Sequence, residues 1–368
     1  MLVHRIALVI AFFSHSVLAQ SQNMSCQWAV IGAGPAGIAM VGALLDHGVK
    51  EKEIVWIDPT FQVGDLGALY QNVPSNTMVR SFRKFFLACR AFDIKARAHQ
   101  FELFKRDDGR RCPLKEVVDP LLHATQKIKR RVNVVQGTVN NVARECDVFV
   151  LTAGDCVIRA KKVVLAIGAH PKQLQHRGLC QISMNDALDK QKLRELVCPD
   201  DIVAVFGVSH SGMLVLKNLS ELGVKKIVSF AKKPLCYAVV QGAFYINAYT
   251  GLKGVAAQWA RDFFEKNLPN NLVKFFNASG QEIEQELAGC TKVIYAIGFE
   301  RNAIGGLPDE LLQNYDTKTG VIAPNLFGVG IAFPRVVRDF SGEQVQAIGI
   351  WEFLRQARQI ARFGGQTS

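Results

Sequence analysis

The sequence is most informative first for what it lacks. Its nine cysteines, at 26, 89, 112, 146, 156, 180, 198, 236 and 290, contain no C-x-x-C or C-x-x-x-x-C spacing. That removes the zinc-ribbon spacings and the thioredoxin-like redox motif. An odd, scattered set reads as thiols kept in a reducing compartment. The histidines show no metal-ligand spacing, so no metal site is expected. No G-x-S-x-G element marks a nucleophile on a sharp turn. There is no low-complexity tract and no fixed-period repeat. Acidic residues are few, 32 Asp and Glu against 44 Lys and Arg, leaving a net charge of +12 that favours anions. The basic runs are short, however: 127–131, 161–162 and 232–233. They suit solvated faces and phosphate-bearing cofactors rather than a nucleic-acid surface.

A membrane-spanning run is also missing. The N-terminal apolar stretch Ile6–Phe13 is too short to cross a bilayer. With Arg5 before it and Val17 and Ala19 after it, it fits a signal peptide cleaved after Ala19, and so an exported protein. Against this, Met24 lies directly before "SCQWAVIGAGPAG", where a cytoplasmic nucleotide-binding protein would begin, and no twin arginine precedes the N-terminal apolar stretch. Both readings leave residues 1–23 outside the fold.

What the sequence does hold is ordinary globular material, 49% hydrophobic and 21% charged, long enough for two domains. The apolar run Trp28–Ile31 enters three glycines spaced G-x-G-x-x-G, at Gly32, Gly34 and Gly37, and a small-residue helical pattern follows. An acidic residue, Asp58, stands 26 positions after Gly32, at the end of the next apolar stretch, 53–58. This context points to a dinucleotide. Gly32 makes the tight turn, Gly34 admits a pyrophosphate, and Gly37 lets the helix lie on the strand with its positive end toward the phosphates. Asp58 would accept hydrogen bonds from the adenosine ribose.

Residues 62–92 read as irregular, 113–128 as a helix, and 132–145, 147–153 and 157–168 as successive strands. The polar stretch 170–178 reads as a domain boundary. A second strand–glycine–helix unit spans 201–230, with Gly207, Ser209 and Gly212 in the three glycine places. Where the first unit has its carboxylate, this one continues "FAKKP". Lys232 and Lys233 suit a ribose 2′-phosphate, so NADPH is preferred over NADH. The stretches "VVLAIGAHP" and "VIYAIGFER" close the two units with the same Ala-Ile-Gly sequence. A last helix is expected at about 343–362. His210 reads as a residue capping the second helix.

Two such units, each closed by Ala-Ile-Gly, resemble the flavoproteins with two dinucleotide-binding domains, which have the pyridine nucleotide-disulfide oxidoreductase-like fold. The resemblance covers nearly the whole chain from Met24. It implies an α/β fold of two Rossmann-like domains, the second inserted in the first. The FAD domain would comprise 24–172 and 299–368, and the NAD(P)H domain 173–298. Gly32, Gly34, Gly37 and Asp58 would then contact FAD, with Val139 by the adenine, Gly168 at the end of its strand and Gly330 near the ribityl chain. Gly207, Ser209, Gly212, Lys232 and Lys233 would hold NADPH. Within the superfamily, "GDLGALYQNVPSNT" at 64–77 resembles the flavin-containing monooxygenases, which implies Asn76 beside the flavin as the catalytic amide. Three departures stand out. No cysteine pair suits a disulfide reductase, Ile331 replaces the frequent aspartate of the last glycine turn, and "CQISMNDALD" lacks the histidine of the monooxygenase fingerprint. The expected activity is hydride transfer from NADPH to FAD and then to oxygen, with insertion into a small molecule. The alternatives are a reductase without oxygen insertion and a non-catalytic flavin-binding redox sensor.

Overall fold

The computed structural model describes residues 23–241, 244–340 and 342–364. Apart from Asn23, the N-terminal signal-like segment lies outside these residues. Asn23 opens the first strand, paired with Val157.

The first domain is built on β1 (Asn23–Ile31), α1 (Pro35–Asp46) and β2 (Ile54–Asp58). Every residue of β2 is buried, as a strand covered on both faces requires, which explains its unbroken apolar sequence. The region read as one strand at 132–145 is two, β3 (Asn133–Gln136) and β4 (Val139–Glu145). The chain breaks at Gly137 because β3 pairs parallel with β2, whereas β4 turns away to run antiparallel to β5 (Val148–Ala153). The next strand, β6 (Cys156–Leu165), pairs with β5, with β1 and with the late strand Leu326–Gly328. The sheet therefore takes strands from both ends of the described chain.

Two other sequence expectations differ from the fold. Residues 79–88, read as irregular, form a helix whose Val79, Phe82, Phe85 and Phe86 are buried. Turn residues upstream masked that helical spacing. The last helix starts at Ile350, not at 343, because residues 344–347 pair with Arg335–Arg338 as a hairpin and Gly349 then breaks the chain at φ +152°. This helix runs along α1 and ends with Gly364 against the ring of Trp28.

The second sheet is entirely parallel, in the order 272–276, 226–231, 202–206, 292–295, 180–181. One of its faces carries an in-register row of aromatics, Phe275, Phe230, Phe206 and Tyr295. The chain enters this domain after Ala169–Pro171 and leaves it through Phe299–Arg301, two short strands paired antiparallel. His170 braces the pair, with its ring nitrogens 2.8 Å from Asn302 Oδ1 and 3.1 Å from Glu300 Oε1. The architecture is thus two Rossmann-type α/β domains, one inserted in the other. Among the described residues, no helix is long and apolar enough to cross a membrane.

Candidate dinucleotide sites

Each site is a glycine turn held from behind. Gly32 has φ +104°, and a Cβ there would lie 2.3 Å from the carbonyl oxygen of Ala166. A Cβ on Gly37 would lie 1.9 Å from the carbonyl oxygen of Gly32. Both positions must be glycine for the strand, the turn and the helix to touch. Gly34 differs: its φ of −69° suits any residue, and a Cβ there would meet nothing within 4 Å. It opens onto space at the start of α1. Pro35 gives up no amide at the first helical position, and the first turn holds no acidic residue. The remaining first-turn amides have no partner within the helix. An open cradle with such amides at a positive helix end fits a pyrophosphate.

Asp58, buried at the end of β2, works first for the protein. Its Oδ2 accepts from the amide of Ala33 at 2.7 Å, and its Oδ1 from the amides of Thr60 and Phe61 at 2.8 and 2.6 Å. The Thr60 hydroxyl adds a third donor to Oδ1 at 3.3 Å. A carboxylate oxygen has about two lone pairs, so Oδ2 is the atom with capacity left for an outside hydroxyl. Val139, buried at the start of β4, pairs with Ala153. A cleft of about 540 Å³ borders the adjoining Gly137 and Thr138, but none of the turn glycines lines it. Gly168, at φ +73°, accepts at its carbonyl from the amide of Asn302. Gly330, at φ +91°, lies against Ala36 of α1.

The buried Gln356 of the last helix was not singled out in the sequence. Its Oε1 accepts from Gly330, and its Nε2 donates to the carbonyls of Gly328 and Phe333 and to the Tyr315 hydroxyl. A polar residue on the apolar stripe of an amphipathic helix was the available signal.

The second turn repeats the first. Gly207 has φ +100°, and its Cβ would lie 2.2 Å from the carbonyl oxygen of Ala296. The Cβ of Gly212 would lie 2.0 Å from the carbonyl oxygen of Gly207. Ser209 holds the place of Gly34. Ala231 holds the place of Asp58, since its carbonyl accepts from Asn277 as that of Asp58 accepts from Gly137. Lys232 and Lys233 follow directly and are exposed.

Between the domains, the segment 64–78 faces the second unit. Tyr70 donates its hydroxyl to Asn185 Oδ1 at 2.5 Å, and burial beside Asp65 raises its pKa to about 12. Asn72 donates to Asp189 at 3.0 Å. The Asn76 side chain is exposed and accepts from the Thr77 hydroxyl at 3.1 Å, while its carbonyl accepts from Arg111 Nε at 3.2 Å. Its hydrogen-bond partners are therefore Thr77 and Arg111, neither of which belongs to the glycine turn. His210 is the first residue of the second helix, whose N-cap is Ser209, and its side chain turns to another partner instead of capping: Nε2 accepts from the backbone amide of Lys253 at 2.9 Å. Burial, with Lys253 and Arg111 nearby, pushes its pKa down to about 4. It is neutral near pH 7 and carries its proton on Nδ1. Arg111 and Lys253 have no motif around them, and only the fold brings them together.

The chain is similar to known proteins in sequence and fold. The chain is 27% identical over 391 residues to a monooxygenase from Paecilomyces divaricatus, covering 92% of this chain and 98% of that one. Its fold is similar to an ornithine N-hydroxylase from Kutzneria sp. 744, with a TM-score of 0.63, 12% identity, and coverage of 93% and 99% of the two chains. It is also similar to a flavin-containing monooxygenase from Stenotrophomonas maltophilia, with a TM-score of 0.59, 15% identity, and coverage of 93% and 98%. A bacillithiol disulfide reductase from Staphylococcus aureus shares the fold at a TM-score of 0.58 and 12% identity, covering 94% and 100%. The model of the pyridine nucleotide-disulphide oxidoreductases matches residues 26–322, and with both glycine turns in place the chain belongs to that family.

Proposed function

We propose that this protein is an FAD-dependent oxidoreductase that takes hydride from NADPH and oxygenates a small molecule. The observation that carries the reading is the pair of matching glycine turns, one bare at Gly34 and one followed by Lys232 and Lys233. The first suits close approach of a pyrophosphate and the second a ribose that bears a 2′-phosphate. FAD, when bound, supplies the hydride acceptor and the centre that reacts with oxygen. The chain supplies position. Gly34 and the α1 amides hold the pyrophosphate, Asp58 Oδ2 takes a ribose hydroxyl, and Gly207, Ser209 and Gly212 hold the second nucleotide. Asn76 offers an amide to oxygen at the domain boundary. The similarity to a monooxygenase along nearly the whole chain supports oxygen insertion over simple reduction.

The test is product analysis of purified FAD-loaded enzyme with NADPH, oxygen and a panel of amines, sulfides and quinones. Oxygen uptake matched by oxygenated product is expected. Asn76→Ala should leave anaerobic reduction by NADPH intact and divert oxygen to free hydrogen peroxide, since one preorganised donor contributes about 2.7–4 kcal/mol. If the wild type releases all its oxygen as peroxide, the protein is a reductase and Asn76 is a turn residue. Bound FAD with negligible NADPH turnover would instead mark a redox sensor.

A further inference from the structure

A cavity of about 430 Å³ opens between the domains, within the range of small-molecule sites. Met78 and Arg111 come from the first domain, and Leu252, Lys253, Gln258 and Arg261 from the second. Among the described residues no carboxylate lines it, and none of its three cations is in an ion pair. The cations lean on neutral groups instead. Arg111 Nε donates to the carbonyl of Asn76 at 3.2 Å, Lys253 Nζ to that of Ala248 at 2.6 Å, and the Arg261 guanidinium sits 4.3 Å from the centre of the Tyr237 ring. The two terminal nitrogens of Arg111 make no hydrogen bond among the described residues.

Arg111 and Lys253 are half-buried, Arg261 is exposed, and half-buried positive charge without a counter-charge has a cost that a bound anion removes. Burial and the neighbouring Arg111 hold the Lys253 ammonium below its ordinary range. The neutral His210 adds no charge of its own and fixes the Lys253 backbone through its 2.9 Å hydrogen bond. A planar guanidinium with two free nitrogens matches a carboxylate. Met78 and Leu252 give the same cavity an apolar side.

We propose that this cavity binds the substrate of the oxidoreductase as an organic anion, its carboxylate on Arg111 and Lys253 and its apolar body along Met78 and Leu252. The proposal rests on the function proposed above, and it links the anion to Asn76 through Arg111, whose Nε donates to the Asn76 backbone carbonyl. The competing source of the same chemistry is a phosphate of the nucleotide.

Calorimetry on FAD-loaded enzyme separates the two, using 2-naphthoate, neutral 2-naphthamide and NADP⁺ as probes. Naphthoate should bind at least about tenfold more tightly than the amide, and Arg111→Gln or Lys253→Gln should each erase about that factor. Arg111→Lys should keep part of it, and NADP⁺ affinity should stay within about twofold. Unchanged melting temperature and FAD content show that the variants fold. Equal affinity for acid and amide, or no binding of the acid, overturns the proposal. So does a loss of NADP⁺ affinity in the variants with naphthoate unaffected, which would assign the cavity to the nucleotide. Reduction of the bound flavin by NADPH, measured in parallel, tests the function itself and fails or succeeds independently of these affinities.

Discussion

The two glycine turns are nearly the same object built from different sequences. The amide of Gly32 meets the carbonyl of Ile57 at 2.8 Å, and that of Gly207 meets Phe230 at 2.8 Å. The clashes that exclude a side chain agree to within about 0.1 Å at both pairs, Gly32 with Gly207 and Gly37 with Gly212. They part at the middle position. Gly34 sits at φ −69° and ψ 178°, and Ser209 at φ −77° and ψ −167°, which is one backbone conformation with two different residues. The fold therefore demands the outer glycines and is indifferent to the middle one. In the proposed function Gly34 would be bare for the sake of the pyrophosphate that approaches it, whereas Ser209 keeps a hydroxyl that can donate to a phosphate. Behind the turn the units differ again: Asp58 ties down Ala33, and its counterpart Ala231 has no carboxylate to offer Val208.

The strongest way to break this symmetry is to attack what the units share. Gly37→Ala and Gly212→Ala each drive a methyl group into a backbone carbonyl at 1.9 and 2.0 Å, where neither side can yield cheaply. Each should destabilise the protein by more than about 2 kcal/mol in chemical denaturation, the range of severe overpacking. Because the contacts match, the two losses should be similar. If one is tolerated while the other unfolds its domain, the equivalence of the two turns is wrong.

Changing the middle position should separate them. Gly34→Val places a side chain in open space, so the melting temperature of the apoprotein should be unchanged while the purified protein carries little flavin. Ser209→Val should leave flavin content intact and raise the Michaelis constant for NADPH. Full flavin content in Gly34→Val would mean that no pyrophosphate lies at that turn. A lowered apoprotein melting temperature in the same variant would show that Gly34 serves the fold after all.

Much of this was legible in the sequence because it rests on local rules. Strand–glycine–helix order needs only a few adjacent residues, and the repeated Ala-Ile-Gly marks where each unit closes. The misread parts depend on partners distant in the chain. The helix Val79–Ala88 is fixed by burying Phe82, Phe85 and Phe86 in the first domain, not by any start signal. Residues 344–347 become a strand because Arg335–Arg338 lie beside them. At the sites, the turn glycines carry a fixed spacing, but Arg111, His210 and Lys253 are separated by 99 and 43 positions and converge only when the domains pack. Asp58 was read as a ribose ligand, and its hold on Ala33, Thr60 and Phe61 was invisible because backbone amides leave no mark in a sequence.

The smallest expected effect concerns the other end of the comparison, the strand ends. Lys232 and Lys233 stand where the first unit has Pro59 and Thr60, one step beyond the Asp58/Ala231 pair. Charge-assisted contacts to a 2′-phosphate contribute about 1.5–3 kcal/mol in enclosed sites. Both lysines are exposed, where solvent reduces an ion pair to about 0.2–1 kcal/mol. Lys232→Ala/Lys233→Ala should therefore cost about 0.4–2 kcal/mol of NADPH preference, about a two- to thirtyfold fall in the ratio of kcat/KM for NADPH over NADH. The change should appear in the KM for NADPH, with NADH kinetics and flavin content unaffected, because in the proposed function the lysines would meet only the group that distinguishes the two cofactors. The converse variant sharpens the point. Ala231→Asp restores to the second unit the carboxylate of the first, with an amide at Val208 to hold it, and should move preference toward NADH. If the double lysine variant keeps its ratio while Ala231→Asp inverts it, specificity resides in what stands behind the turn and not in the charges beyond it.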